Sequence, residues 1–128
     1  MPRLLHARFW YALGLLLTLL VIVVCLVPQR DLPRMNISDK IEHALAYVAL
    51  TLWFGGLFRP RSYGWIALWM LVLGAGIEIA QGLMGLGRTA DIRDFYADAA
   101  GVAAGLALAL IGLRHWVAWL EWLWQRRP

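Results

Sequence analysis

The chain is poor in charge and nearly devoid of cysteine. Charged residues make up 16% of its 128 residues, where an ordinary soluble domain carries about 25%. Hydrophobic residues reach 62% and mean hydropathy is +0.65. A chain this short has too little interior to hide so much apolar surface from water. The same composition excludes intrinsic disorder, which requires low hydrophobicity. Cys25 is the lone cysteine, so neither an intrachain disulfide nor a cysteine-based zinc or iron–sulfur centre can form. It lies in an apolar run and is expected to pack as a small hydrophobe. Bulky Val24 precedes it, which speaks against a lipoprotein signal. Arg3 and Arg8 stand before the first apolar run, but Val27-Pro28-Gln29-Arg30 follows it and no small-x-small cleavage site closes it. That run is expected to be a retained helix. Internal repeats and low-complexity linkers are also missing, and residues 1–128 read as a single domain. The formal charge of +4 is spread over Arg residues that flank apolar runs, so topology explains it and no nucleic-acid partner is expected.

What is present is four apolar segments and 16 aromatics, among them eight Trp, of the kind that gather at membrane boundaries. Phe9 to Val27 has the length a spanning helix needs and ends at Pro28. Ile41 to Phe58 closes with Gly55-Gly56 and then Arg59-Pro60-Arg61. Trp65 to Leu86 is interrupted by Glu78 and Gln81, and Phe95 to Leu113 by Asp98. The last is rich in small residues that admit a neighbouring helix closely. The expected fold is all-α, an integral membrane four-helix bundle with spans 9–27, 41–58, 65–86 and 95–113. Its C-terminal segment, 114–128, is read either as an amphipathic helix in the headgroup layer or as an extension of the fourth helix. Trp116, Trp119, Leu120 and Leu123 share a stripe there.

An even number of spans places both termini on one side. Arg3, Arg8, Arg59, Arg61, Arg114, Arg126 and Arg127 then share that side, against Arg30, Arg34, Lys40, Arg88 and Arg93 opposite. The excess of basic residues favours cytoplasmic termini. Every acidic residue except Glu121 falls on the opposite side.

The acids there form a pattern. Ser38 is an expected N-cap for the second helix, and Asp39, His43 and Tyr47, spaced by four, line one of its faces, with Lys40 beside them. Glu78 and Gln81 share a face of the third helix, and Asp91, Asp94 and Asp98 form one stripe of the fourth, with Arg88 just before. Asp91 is an expected N-cap. A charged residue such as Asp at mid-bilayer costs about 2.5–3.5 kcal/mol even on the lower scales, so Glu78 and Asp98 need protons, partners or a polar cavity. Arg88 and His43 are the candidate partners of Asp98. The second helix begins, the third ends and the fourth begins at one face, so these residues can meet in one polar layer opening outward.

Asp39-Lys40-x-x-His43-x-x-x-Tyr47, Glu78-x-x-Gln81, and Arg88 with Asp91, Asp94 and a Gly101-containing helix together resemble the VanZ-like family of small membrane proteins. The resemblance runs from Asn36 to Leu113, and in the first helix it is only hydropathic. The family pattern generally looks like Asn where this chain has Asp98. The family takes its name from a protein associated with resistance to the glycopeptide teicoplanin, so the resemblance implies a multi-pass protein of the bacterial plasma (inner) membrane, in the cell-envelope context of glycopeptide tolerance.

Several roles are open to the polar layer. In the first, a non-enzymatic site binds an anionic lipid or cell-wall precursor headgroup, with Lys40 and Arg88 as the contacts and Asp39, His43, Tyr47, Glu78, Gln81, Asp91, Asp94 and Asp98 around them. In the second, an enzyme acts on a lipid-linked or wall substrate, with His43 as general base and Glu78 or Asp94 orienting it. No metal or other cofactor is predicted, since no established ligand signature such as H-E-x-x-H is present. His43, Glu78, Asp94 and Asp98 nevertheless offer N and O ligands for a divalent ion. Third, a proton or ion relay would need ionisable groups in the inner halves of the helices, which hold almost none. The last is a purely structural network.

Overall fold

A computed structural model describes residues 4–27, 39–85 and 90–127. Every regular element among them is helical. The order is α1 (Ala7–Leu26), α2 (Asp39–Leu57), a 3₁₀ turn (Pro60–Ser62), α3 (Tyr63–Met84), α4 (Ile92–Leu110), a second 3₁₀ turn (Leu113–His115) and α5 (Trp116–Gln125). The four long helices begin two or three residues before the expected spans, because the apolar runs mark the bilayer segment while the first helical turn is polar or aromatic. The expected N-cap Ser38 lies outside the described residues.

Among the described residues, two segments are long and apolar enough to cross a membrane, Ala7–Leu26 and Pro60–Met84, and a third if α4 and Leu113–Gln125 count as one bent span. The polar residues of α2 and α4 explain why neither qualifies alone. Those two helices make the most extensive contact in the molecule, so the sequences with the most buried polarity are packed against each other. In lipid, apolar burial adds little and close packing carries helix association. Gly101 shows how close this approach is: a Cβ there would run into the Ala44 carbonyl oxygen and stand 3.0 Å from the Tyr47 Cβ. Tyr47, Leu50, Val102 and Ala109 form the α2–α4 centre, joined by Tyr63, Ile66 and Met70 of α3. Helix α1 packs on α2 and α3 and leaves Leu15, Leu16, Leu19 and Leu20 exposed, a face suited to lipid.

The C-terminal segment does not continue α4 straight. Gly112 adopts φ 130° and ψ −19°, a conformation that favours glycine, and the chain bends by 77°. Helix α5 then returns to the start of α1, where Val117 is buried with Trp10 and Leu57. The expected stripe divides here: Trp116 and Leu120 pack inward, whereas Trp119 and Leu123 stay exposed. Val117 and Glu121 are the fully covered positions of α5.

Candidate functional site

The polar groups of three helices converge where α2 and α4 begin and α3 ends. On α2, the spacing of four places Asp39, His43 and Tyr47 on the face turned to α4. His43 is buried, and its Nδ1 lies 3.0 Å from Asp98 Oδ1. Its other nitrogen, Nε2, is 3.7 Å from Asp39 Oδ2. Of the two candidate partners of Asp98, His43 is therefore the one observed. Arg88 lies outside the described residues.

Lys40 extends from the same turn to α4. Its Nζ donates to Asp94 Oδ1 at 3.0 Å and to Asp91 Oδ2 at 3.5 Å. Lys40 and Asp91 stand beyond the apolar stretches. The hydrogen bond to Asp94 holds the lysine's pKa above its ordinary value. Asp91 is the expected N-cap of α4: its Oδ1 accepts the Arg93 N–H at 2.9 Å. That bond, reinforced by Lys40, holds its carboxyl below the usual carboxylate range.

Glu78 enters from α3 and is buried. Its Oε2 accepts the Asp91 N–H at 2.9 Å, which ties the end of α3 to the start of α4. Its Oε1 and the Tyr47 hydroxyl are buried with no hydrogen-bond partner among the described residues. Gln81, also on the expected face, reaches elsewhere: its Nε2 donates to the Cys25 carbonyl oxygen at 2.6 Å and pins the end of α1 to α3. Eight of the ten sequence-predicted residues thus surround the α2–α4 seam or its rim, Gln81 ties α3 to α1 instead, and Arg88 is not described.

Beside Glu78 an open groove of about 350 Å³ runs between α3 and α4, lined by Ala75, Glu78, Ile79, Ala90, Asp91, Ile92 and Phe95. Its walls are apolar apart from the two carboxylates. A larger apolar groove of about 580 Å³ faces α1 and α3 around Trp65, Trp69 and Met70, away from the polar cluster.

The family to which this arrangement belongs can now be stated, since the VanZ/LLP1 family model matches residues 6–113. The chain is a VanZ-like protein. The match takes in α1, which carries none of the polar motif. No curated protein and no solved structure matches the chain significantly.

This VanZ-like chain also holds a second polar centre that the sequence reading missed. Glu121 of α5, outside the expected spans, accepts the backbone N–H groups of Leu5 and His6 at 3.0 Å each and the Trp10 indole N–H at 2.9 Å. It satisfies donors before and at the start of α1, where no side-chain cap exists. His6 stacks on Trp124 with centroids 4.2 Å apart. Burial pushes the Glu121 carboxyl up, but these donors outweigh it and hold the pKa below the ordinary value. The available signal was its isolation: it is the one acid on the Arg-rich side of the predicted topology.

Proposed function

We propose that this VanZ-like chain is a four-span envelope protein of the bacterial plasma membrane, with cytoplasmic termini and a site in the outer leaflet that binds the headgroup of an anionic lipid or cell-wall precursor. The observation that carries this reading is the adjacency of an apolar groove and a charged rim. The groove beside Phe95 and Ile79 has the walls an acyl chain prefers. At its edge Lys40 is held by Asp91 and Asp94 while remaining partly exposed, so its ammonium is oriented and accessible to a phosphate or carboxylate oxygen. Arg88 belongs to the same reading on sequence grounds. A site that sequesters such headgroups at the surface supports tolerance of a glycopeptide such as teicoplanin.

The test is retention of phosphatidylglycerol against phosphatidylcholine by the purified chain, read by native mass spectrometry. Phosphatidylglycerol should be retained selectively, less so as salt rises, and lost in Lys40→Ala and in the groove-filling Ala75→Trp. Equal retention of both lipids by wild type and Lys40→Ala sinks the reading. In cells, expression should raise teicoplanin survival, and Lys40→Ala should remove the gain.

A further inference from the structure

Among the described residues, carboxylates outnumber cations at this site. Asp39, Glu78, Asp91, Asp94 and Asp98 face Lys40 and His43 among the described residues. Lys40 serves the rim, through Asp94 and Asp91. Deeper in the seam, His43 is the one basic side chain beside Glu78 and Asp98 among the described residues, and Glu78 has in addition only the Asp91 N–H. Two buried carboxylates beside one imidazole are costly without further positive charge.

We infer that His43, Glu78 and Asp98 form a binding site for a divalent first-row transition cation. One ligand atom from each of the three buried residues lies within 4.8 Å of the others. Tetrahedral zinc with ligands at about 2.0–2.1 Å needs them about 3.3 Å apart, and His43 Nδ1 and Asp98 Oδ1 are already at 3.0 Å. Two further observations point to a ligand. Glu78, only 7% exposed, keeps Oε1 buried and unpartnered among the described residues. The Tyr47 hydroxyl, equally unpartnered, neighbours Asp98: a Cβ on Gly74 would stand 3.4 Å from it and 2.9 Å from Asp98 Oδ2.

His43, Asp39 and Asp94 form a second triad sharing the imidazole. It is the weaker assignment, because Asp94 already accepts from Lys40 at 3.0 Å. In the buried triad the cation replaces the proton between Nδ1 and Oδ1, and the Asp39 carboxylate, 3.7 Å from Nε2 on the far side of the ring, favours by its charge the tautomer that keeps the proton on Nε2. Binding releases that proton, so affinity rises with pH. One nitrogen and two carboxylate oxygens suit zinc or manganese better than magnesium, which keeps its waters. An open coordination position would accept a headgroup oxygen. The site thereby deepens the headgroup reading, while metal binding itself stands on separate observations.

The test loads the tag-free full chain in detergent with Zn²⁺ or Mn²⁺ and measures bound metal by mass spectrometry after desalting. Wild type should retain about one ion per chain. Glu78→Gln and Asp98→Asn should weaken binding at least as much as the ~10–100-fold that loss of an outer-shell partner costs. These near-isosteric amides, checked for monodispersity and native Trp fluorescence, separate ligand loss from unfolding, and His43→Ala adds the nitrogen. Wild type without metal, or both amide variants binding like wild type, overturns the inference. So does loss of metal in Asp94→Asn with retention in Glu78→Gln. Phosphatidylglycerol retention is then compared with and without EDTA. Bound metal without selective lipid retention leaves the metal site standing and removes the headgroup reading. EDTA-resistant lipid retention by a chain that takes no metal removes the metal site alone.

Discussion

His43 Nδ1 and Asp98 Oδ1 meet at 3.0 Å although 55 residues separate them in sequence. Both side chains are nearly inaccessible, so the pair joins α2 to α4 within the close seam that Gly101 permits. A buried pair of this kind is costly to break, because the survivor keeps its desolvation penalty and loses its partner.

Removal of one member should therefore destabilise strongly. His43→Ala or Asp98→Ala is expected to cost about 3–5 kcal/mol, read as a lowered unfolding midpoint in detergent. The double variant should cost less than the two losses added, since each single change forfeits the same contact. Strict additivity would show that the two groups do not act as a pair.

Glu121 makes the docking of α5 pH-dependent. Its folded-state pKa is lowered, so its contribution is complete above the unfolded carboxylate value of about 4.3 and disappears as pH falls through the lower folded value. Fluorescence of Trp10, whose indole N–H donates to Glu121, and of Trp116 and Trp124, which contact the Trp10 ring, should change on acidification through that window. Glu121→Gln should remove the acid transition and weaken docking at neutral pH.

Two glycines should respond in opposite directions to alanine. At Gly101 the new Cβ meets the backbone of α2, which cannot swing aside, and overpacking should cost about 1–3 kcal/mol. At Gly76 nothing lies within 4 Å of the added carbon, so the helical gain of up to about 1 kcal/mol should appear. Thermal unfolding of both variants decides the matter.

The proposed orientation has a direct check. In a Cys25→Ser background, Ala90→Cys should react with a membrane-impermeant maleimide added to intact cells, and Arg59→Cys should be protected until the cells are opened. Labelling of Arg59→Cys from outside reverses the topology.

Much of the site was legible because helical spacing is local. A period near four sets Asp39, His43 and Tyr47 on one face of a helix whatever that helix packs against. The N-cap at Asp91 was legible for the same reason. Gln81 shared the face of Glu78 yet turned to the Cys25 carbonyl, because its amide can donate to a carbonyl oxygen and an ionised carboxylate cannot. Glu121 was invisible as a docking group, since nothing near it in sequence announces the α1 backbone as its partner.

The residues alone determined the helical class, the apolar runs and the helix ends at which most of the acids lie, because hydropathy and the 3.6-residue repeat depend on neighbours in the chain. Which groups become partners depended on the packing of distant segments. Close approach of α2 to α4 selected His43 for Asp98, and the turn at Gly112 carried Glu121 back to α1. Such pairings arise from interhelical distances and angles, and those are set by the whole assembly of side chains at once.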